Sequence, residues 1–457
     1  MSASIAGLGL GRTGLPRAVL ELCTRLRRGG HRSWIVGGCV RDSLLSQLEG
    51  RTGAGSWVAK DWDIATDALP EQVTRLFRRV IPTGIEHGTV TVILEDVSLE
   101  VTTLRADKGY ADGRRPDQID FVASIDEDLA RRDFTVNAIA FEPETESIVD
   151  PFDGRSDLVR RRLRAVGVAA QRFGEDGLRV LRAARFVAAL EFELDPDTAL
   201  AMRPSLDTYR RVSAERIRDE WQKTLRARAP SLGFRVMLEH GLLDITAPEL
   251  AALGSQSTSA GDLFTVSLRR VDQLETHAEK RLTALLTNLD GEPSRAAEMA
   301  DALLARLRYS NAERKWVTRL IRERNVPATE ALPDAEVRRW LVRVGTDLYR
   351  DLCSVARADV LARHVDSVEN GRSSREQKLA ALARFEARAT EILAANPPLS
   401  ISALAIDGKA LMADAGFKPG REIGRALESL LDLVLEDPSQ NTKERLLERA
   451  RSLTPQS

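Results

Sequence analysis

Residues 60–66 read KDWDIAT, an alternating run that predicts a β-strand carrying Asp61 and Asp63 on one face. Side chains two apart on a strand share a face, with Cα atoms roughly 6.5–7 Å apart. At an effective dielectric near 20, two like charges about 6 Å apart repel by roughly 3 kcal/mol. A solvated strand edge relieves that repulsion, and so does a bound cation. Upstream, LPRAVLELCTRLRRGG (15–30) predicts a helix opened by Pro16 and stopped by Gly29-Gly30. A short strand follows in SWIVGG (33–38), and another helix begins within VRDSLLSQL (40–48). Downstream, TVTVILEDVSLEVTTLR (89–105) alternates with period two around Glu95-Asp96, the signature of a hairpin.

Past about residue 155 the strand signals fade into amphipathic runs of Ala, Leu, Arg and Glu, broken near 254–261, 291–293, 396–400 and 437–441. The fold class is therefore α+β: a small mixed α/β head followed by an elongated, all-helical remainder. The 457 residues give room for two to four domains. With 30% charged and only 5% aromatic residues, the chain reads as soluble and helix-rich. A net charge of -1 means that any polyanionic partner must meet a local basic patch. Cys23, Cys39 and Cys353 are widely spaced and offer no zinc set, which fits a reduced, cytoplasmic setting. The start, MSASIAGLGLGRTG, lacks the basic and apolar regions of a signal peptide, and no apolar run is long enough to span a membrane.

Four segments join the aspartates in a chemical constellation. Gly37 and Gly38 sit between strand and helix, where backbone amides form an anion site, and Arg41 adds a fork of donors suited to phosphate. On the second arm of the hairpin, Leu99, Val101 and Thr103 share one face and Glu100 takes the other, a third carboxylate from a neighbouring strand. Carboxylates beside a phosphate cradle point to Mg2+, which commonly bridges one or two carboxylates to substrate phosphates. DLARRDFTVNAIAF (128–141) packs Arg131, Arg132, Asp133 and Asn137 together; read alone, it is sooner a helix capped by Asp133 with solvated arginines. EDGLRVLRAARF (175–186) repeats Asp176, Arg179, Arg182 and Arg185 every third residue, either a functional stripe or an exposed ion-pair ladder along one helix.

GGCVRD, KDWDIAT, EVTTLR, YADGRRPDQIDF, DLARRDFTVNAIAF, DPFDG, EDGLRVLRAARF and SAERIRDE occur in this order between about Trp34 and Leu225. The series resembles that of the bacterial CCA-adding tRNA nucleotidyltransferases, relatives of the bacterial poly(A) polymerases in the polymerase-β superfamily. The stretch LAIDGKALMADAGFKPGREIGRALESLLDLVLEDPSQNTKE (404–444) is similar to the end of the same family. The resemblance implies a head over 15–155, a neck over 156–228, a body over 229–330 and a tRNA-binding tail over 331–457. It implies template-independent addition of CCA to the tRNA 3′ end from CTP and ATP. Asp61 and Asp63 would hold two Mg2+ ions, and Gly38, Arg41 and Arg132 would contact the nucleotide. Asp133 would read the ribose, Asp176 and Arg179 the base edge, and Arg182 and Arg185 the triphosphate. Gly177 stands where the family usually has proline or alanine, which loosens the helix start. Addition of A alone, of CC alone, poly(A) synthesis and a non-catalytic tRNA-binding relative are the other readings. The segment 105–121 matches the loop that relatives adding only CC shorten, which favours full CCA addition.

Two further expectations concern regions outside that constellation. The arginines at 155, 160, 161, 162, 164, 172, 179, 182 and 185 form the candidate patch for acceptor-stem phosphates. DLFTVSLRRVDQLETHAEKRLTALLTNLDG (262–291) resembles the start of an HD phosphohydrolase domain, with Val266 in place of the first histidine and Thr287-Asn288 in place of the His-Asp pair. Val, Thr and Asn cannot replace imidazole and carboxylate as metal ligands, so a degenerate scaffold without phosphohydrolase activity is expected.

Overall fold

The computed structural model describes residues 8–53, 55–59, 61–108, 118–122, 124–329, 332–363 and 370–453. Packing divides the chain into two units, Met1–Pro248 and Glu249–Ser457, so the change of unit falls inside the expected body segment.

The first unit opens with α1 (Arg17–Arg28), which follows Pro16 and stops at Gly29 as its sequence dictates. Strand β1 (Ser33–Val36) leads into α2 (Gly38–Leu48), then β2 (Asp63–Thr66) and α3 (Pro70–Leu76). Next come β3 (Val80–Gly84), β4 (Thr89–Leu94) and β5 (Val97–Thr103). The β4–β5 turn places Glu95 and Asp96 at φ 48 and 62, the left-handed pair that a two-residue hairpin demands. The segments β6 (Arg105–Lys108) and β7 (Gln118–Phe121) pair antiparallel as a separate ribbon within the loop segment expected over 105–121, of which 109–117 lie outside the described residues. Then follow α4 (Ile125–Ala130), β8 (Ala140–Glu142), β9 (Ser147–Val149), α5 (Gly154–Arg160), α6 (Ala169–Glu175) and α7 (Leu178–Leu190).

Seven strands form one mixed sheet in the order β3-β4-β5-β2-β1-β8-β9. The β2–β5 pair is parallel and sets Asp63 opposite Glu100. Leu99, Val101 and Thr103 are buried under the sheet while Glu100 faces out, as the alternation required. One expectation needs correction. Asp61 is not in the strand: the ladder reaches back only to the Trp62 carbonyl, which accepts from the Glu100 amide at 3.1 Å, and Asp61 sits in the bend before it.

The second unit is helical apart from two-residue strands at Ser257–Thr258 and Gly261–Asp262, among the described residues. Trp340, Leu341 and Phe385 anchor one of its cores, and Leu411, Leu430 and Leu446 another. Val266 is wholly buried in it, and the Thr287 hydroxyl donates to the Thr283 carbonyl at 2.6 Å. No helix among the described residues is long and apolar enough to cross a membrane.

Candidate active site

All of the site residues expected from sequence line one open cleft of about 810 Å³ on the first unit. Gly37 closes β1 at φ +79, and a Cβ there would stand 2.9 Å from Arg132 Nη1. Glycine is thus dictated both by the left-handed turn and by the guanidinium lying over it.

Asp61, Asp63 and Glu100 form the acidic side. None of the three accepts a hydrogen bond or an ion pair among the described residues. The protein crowding the cleft pushes the Asp63 carboxyl above its ordinary range, and Asp61 adds to this while Arg132 opposes it. Desolvation and the neighbouring Asp63 likewise raise Glu100. A carboxylate set left uncompensated by its own protein fits a cation. No three His, Cys, Asp or Glu side chains among the described residues gather closely enough to hold a metal ion alone. Two carboxylates completed by substrate oxygens suit Mg2+ better than a closed cage does.

The opposite wall is a linked cationic network. Arg41 Nη1 donates to Asn137 Oδ1 at 2.6 Å, and Asn137 Nδ2 donates to Asp133 Oδ1 at 3.0 Å. Arg182 approaches the other Asp133 oxygen at 2.6 Å. Burial alone would raise the Asp133 carboxyl, but Arg182 and Asn137 hold it well below the usual carboxylate range. Asp133 does not cap a helix, and its arginine neighbours are not solvated: Arg131 and Arg132 both turn back onto buried Asp128, at 2.7 and 3.4 Å. Arg185 Nε lies 2.7 Å from Glu220 Oε2, in an ion pair whose angles are not those of a hydrogen bond. Burial, with Arg182 close by, pushes the Arg185 guanidinium down to about 10. Arg41, Arg182 and Arg185 also stand over the Phe186 ring, at 5.2, 5.4 and 4.0 Å from its centroid.

The every-third-residue stripe is not a solvated ladder, and it does not lie on one helix. Asp176 falls in an extended link between α6 and α7, at φ -143. Its Oδ1 accepts from the Leu178 amide at 3.0 Å and its Oδ2 from Arg216 Nη2 at 2.7 Å. Arg179 is buried; it pairs with Glu175 and donates to the carbonyls of Arg172 (3.0 Å) and Arg131 (2.9 Å). Gly177 does more than loosen the helix start. A Cβ there would fall 2.4 Å from the Thr208 carbonyl oxygen, so the missing side chain lets two backbones touch.

Much of the arginine-rich run is already spoken for. Arg155, Arg161, Arg162 and Arg164 pair with Asp150, Glu49, Asp195 and Asp157, at 3.4, 3.6, 3.6 and 2.8 Å. The residues that sequence reading missed are Phe186, Arg216, Glu220 and Lys223. Arg216, Glu220 and Lys223 recur at helical spacing within Ala214–Leu225, a face legible in principle. Phe186 carried no signal beyond a core aromatic.

Three family descriptions match the chain: "Poly A polymerase head domain" over 33–164, "Probable RNA and SrmB- binding site of polymerase A" over 191–253, and "tRNA nucleotidyltransferase domain 2 putative" over 273–450. The CCA-adding enzyme of Lactobacillus delbrueckii subsp. bulgaricus is 34% identical over 438 residues, covering 94% of this chain and 96% of that protein. The CCA-adding enzyme of Lactobacillus gasseri is 42% identical over 233 residues, where this chain spans about half (56%) of that relative's length. Among solved structures, the Bacillus stearothermophilus CCA-adding enzyme in complex with CTP superimposes with a TM-score of 0.70 at 28% identity, covering 95% of this chain and 98% of that one.

Proposed function

This chain belongs to the CCA-adding enzyme family, and from that membership we propose that it adds C, C and A to the 3′ end of tRNA from CTP and ATP in the cytoplasm, without a template. The observation that carries the reading is the polarity of the cleft, with carboxylates on one side facing guanidiniums on the other across an open space of about 810 Å³.

Asp61 and Asp63 would hold Mg2+, with Glu100 orienting them. When bound, Mg2+ neutralises charge on the triphosphate and lowers the pKa of a coordinated hydroxyl. The remaining work falls to the chain. Arg41, Arg182 and Arg185 balance the triphosphate charge, so that in-line attack on the α-phosphorus is mostly a matter of positioning. Asp133 and Asn137, locked together, face the ribose. Asp176 accepts from the exocyclic amine that cytosine and adenine share, while Arg179 donates to the adjacent ring nitrogen. Uracil and guanine would set a carbonyl oxygen against the carboxylate, at a cost of about 1–3 kcal/mol. The pair of hydrogen bonds already made by Asp176 leaves lone pairs for that contact.

The test is extension of a tRNA lacking its 3′ end, with Mg2+ and each labelled nucleoside triphosphate in turn. Incorporation of C and then A, with U and G refused, is expected; long ATP-only tails would instead mean poly(A) synthesis. The Asp61→Ala variant should lose incorporation by several orders of magnitude while still binding tRNA.

A further inference from the structure

The second unit encloses a cavity of about 580 Å³ that plays no part in the cleft above. It lies where the HD-like resemblance would put a metal centre, yet its charge is of the opposite sign. Arg270 lines it and is wholly buried. Its Nη1 donates to the Ala284 carbonyl at 2.9 Å and its Nη2 to Asn288 Oδ1 at 3.2 Å, and it pairs with Asp359. The Nε of Arg270 has no partner. Arg363 donates to both oxygens of Asp359 at 2.9 Å and to Asn288 Oδ1 at 3.2 Å. Arg324 donates to the Thr287 and Gly291 carbonyls, both at 2.6 Å. Asp290, the other acid in the lining, is paired with Arg295 at 3.3 Å.

Among the described residues, three guanidiniums therefore surround a single available carboxylate, with Arg270 wholly buried and Arg363 at the exposed side. Carbonyl and amide partners accept from these guanidiniums, Arg270 Nε excepted, but do not cancel their charge. Burial and the proximity of Arg363 push both Arg270 and Arg324 below their ordinary values. Leu263, Val326, Val355 and Leu382 make part of the wall apolar, and Asn325 and Lys378 add further polar groups to it. Excess positive charge gathered around buried Arg270 beside apolar side chains, in a void within the size range of small-molecule sites, fits a phosphate group attached to a flat or apolar body. We propose that this cavity binds a small phosphate ester of nucleotide size, with Arg270, Arg324 and Arg363 neutralising the phosphate.

Hydrogen–deuterium exchange on the full chain separates this site from the cleft, because each reports through its own segments. ATP at ten times its dissociation constant should slow exchange about tenfold in residues 263–272, 284–291 and 355–363. The Arg363→Gln variant should lose that protection while keeping whatever ATP confers on 176–186. Arg363 is partly exposed, but its two partners make a folding defect conceivable. A second variant, Lys378→Glu at the exposed rim, should weaken the protection without that risk. The proposal is overturned if neither ATP, AMP nor inorganic pyrophosphate protects these segments. It is overturned equally if protection persists in both variants, or if a truncated tRNA protects them and ATP does not.

Discussion

Phe186 holds three guanidiniums around one ring, two from its own helix and Arg41 from α2. Each such contact contributes about 0.5–1 kcal/mol, more where water is excluded. Replacing the ring with Leu keeps most of the volume and removes the quadrupole. The Phe186→Leu variant should raise KM for CTP and ATP by about 5–30-fold, with a smaller fall in kcat, measured by steady-state extension. Asp63 makes a pH prediction. Its raised pKa means that the folded chain binds this proton more tightly than the unfolded one does. Metal-free protein should therefore lose stability as pH rises from the ordinary carboxylate value, about 3.9, through the raised one. The Asp63→Asn variant should melt at a higher temperature than wild type in chelator at neutral pH while losing activity; a lower melting temperature would contradict the charge argument. Sequence reading found Asp61, Asp63, Glu100, Asp133 and Asp176 and the arginines at 41, 132, 179, 182 and 185, because each has chemistry that a bland surface does not need, but it passed over Arg216, Glu220 and Lys223. It could not find Phe186, because an aromatic beside alanines reads as core until its neighbours in space are known.

At the scale of elements, the break between α6 and α7 matters more than either helix. Asp176 lies in the break and is held from outside by Arg216 of the helix Ala214–Leu225. The Arg216→Ala variant should leave folding nearly intact but free the Asp176 carboxylate to swing. Misincorporation of U or G relative to C should rise by about tenfold, the equivalent of about 1.4 kcal/mol of lost discrimination, in single-nucleotide extension assays. Unchanged selectivity would remove Arg216 from the positioning of Asp176. The sequence pattern predicted one continuous stripe because periodicity registers spacing and not interruption. Similarly, KDWDIAT predicted a strand from its first aspartate, whereas the ladder that defines the strand depends on the partner β5. The hairpin, by contrast, was fully legible, since its turn and its alternation are both local.

The whole molecule carries a net charge of -1, and its arginine run at 155–164 is largely paired with its own carboxylates. Binding of tRNA should still follow counterion release. Affinity should fall on the order of tenfold or more between about 50 and 200 mM salt, because even two or three phosphate contacts impose that slope. A flat salt response, read by filter binding or fluorescence anisotropy, would point to recognition by shape and bases instead. The division into a sheet-bearing head and a helical remainder was readable from where period-two alternation stops. The buried arginine cluster of the second unit was not, because Arg270 falls at an ordinary helical position and only the tertiary fold removes it from water.

The parallel register that sets Asp63 against Glu100 also fixes an order of events during synthesis. A parallel pair cannot close through a tight turn; the chain must first run out through α3, β3 and β4 and return. Strands β8 and β9 then complete the far edge, and α7 brings its arginines later still. A nascent chain on the ribosome thus has its carboxylates and Arg41 well before Arg182 and Arg185, which join them only after some 190 residues have emerged.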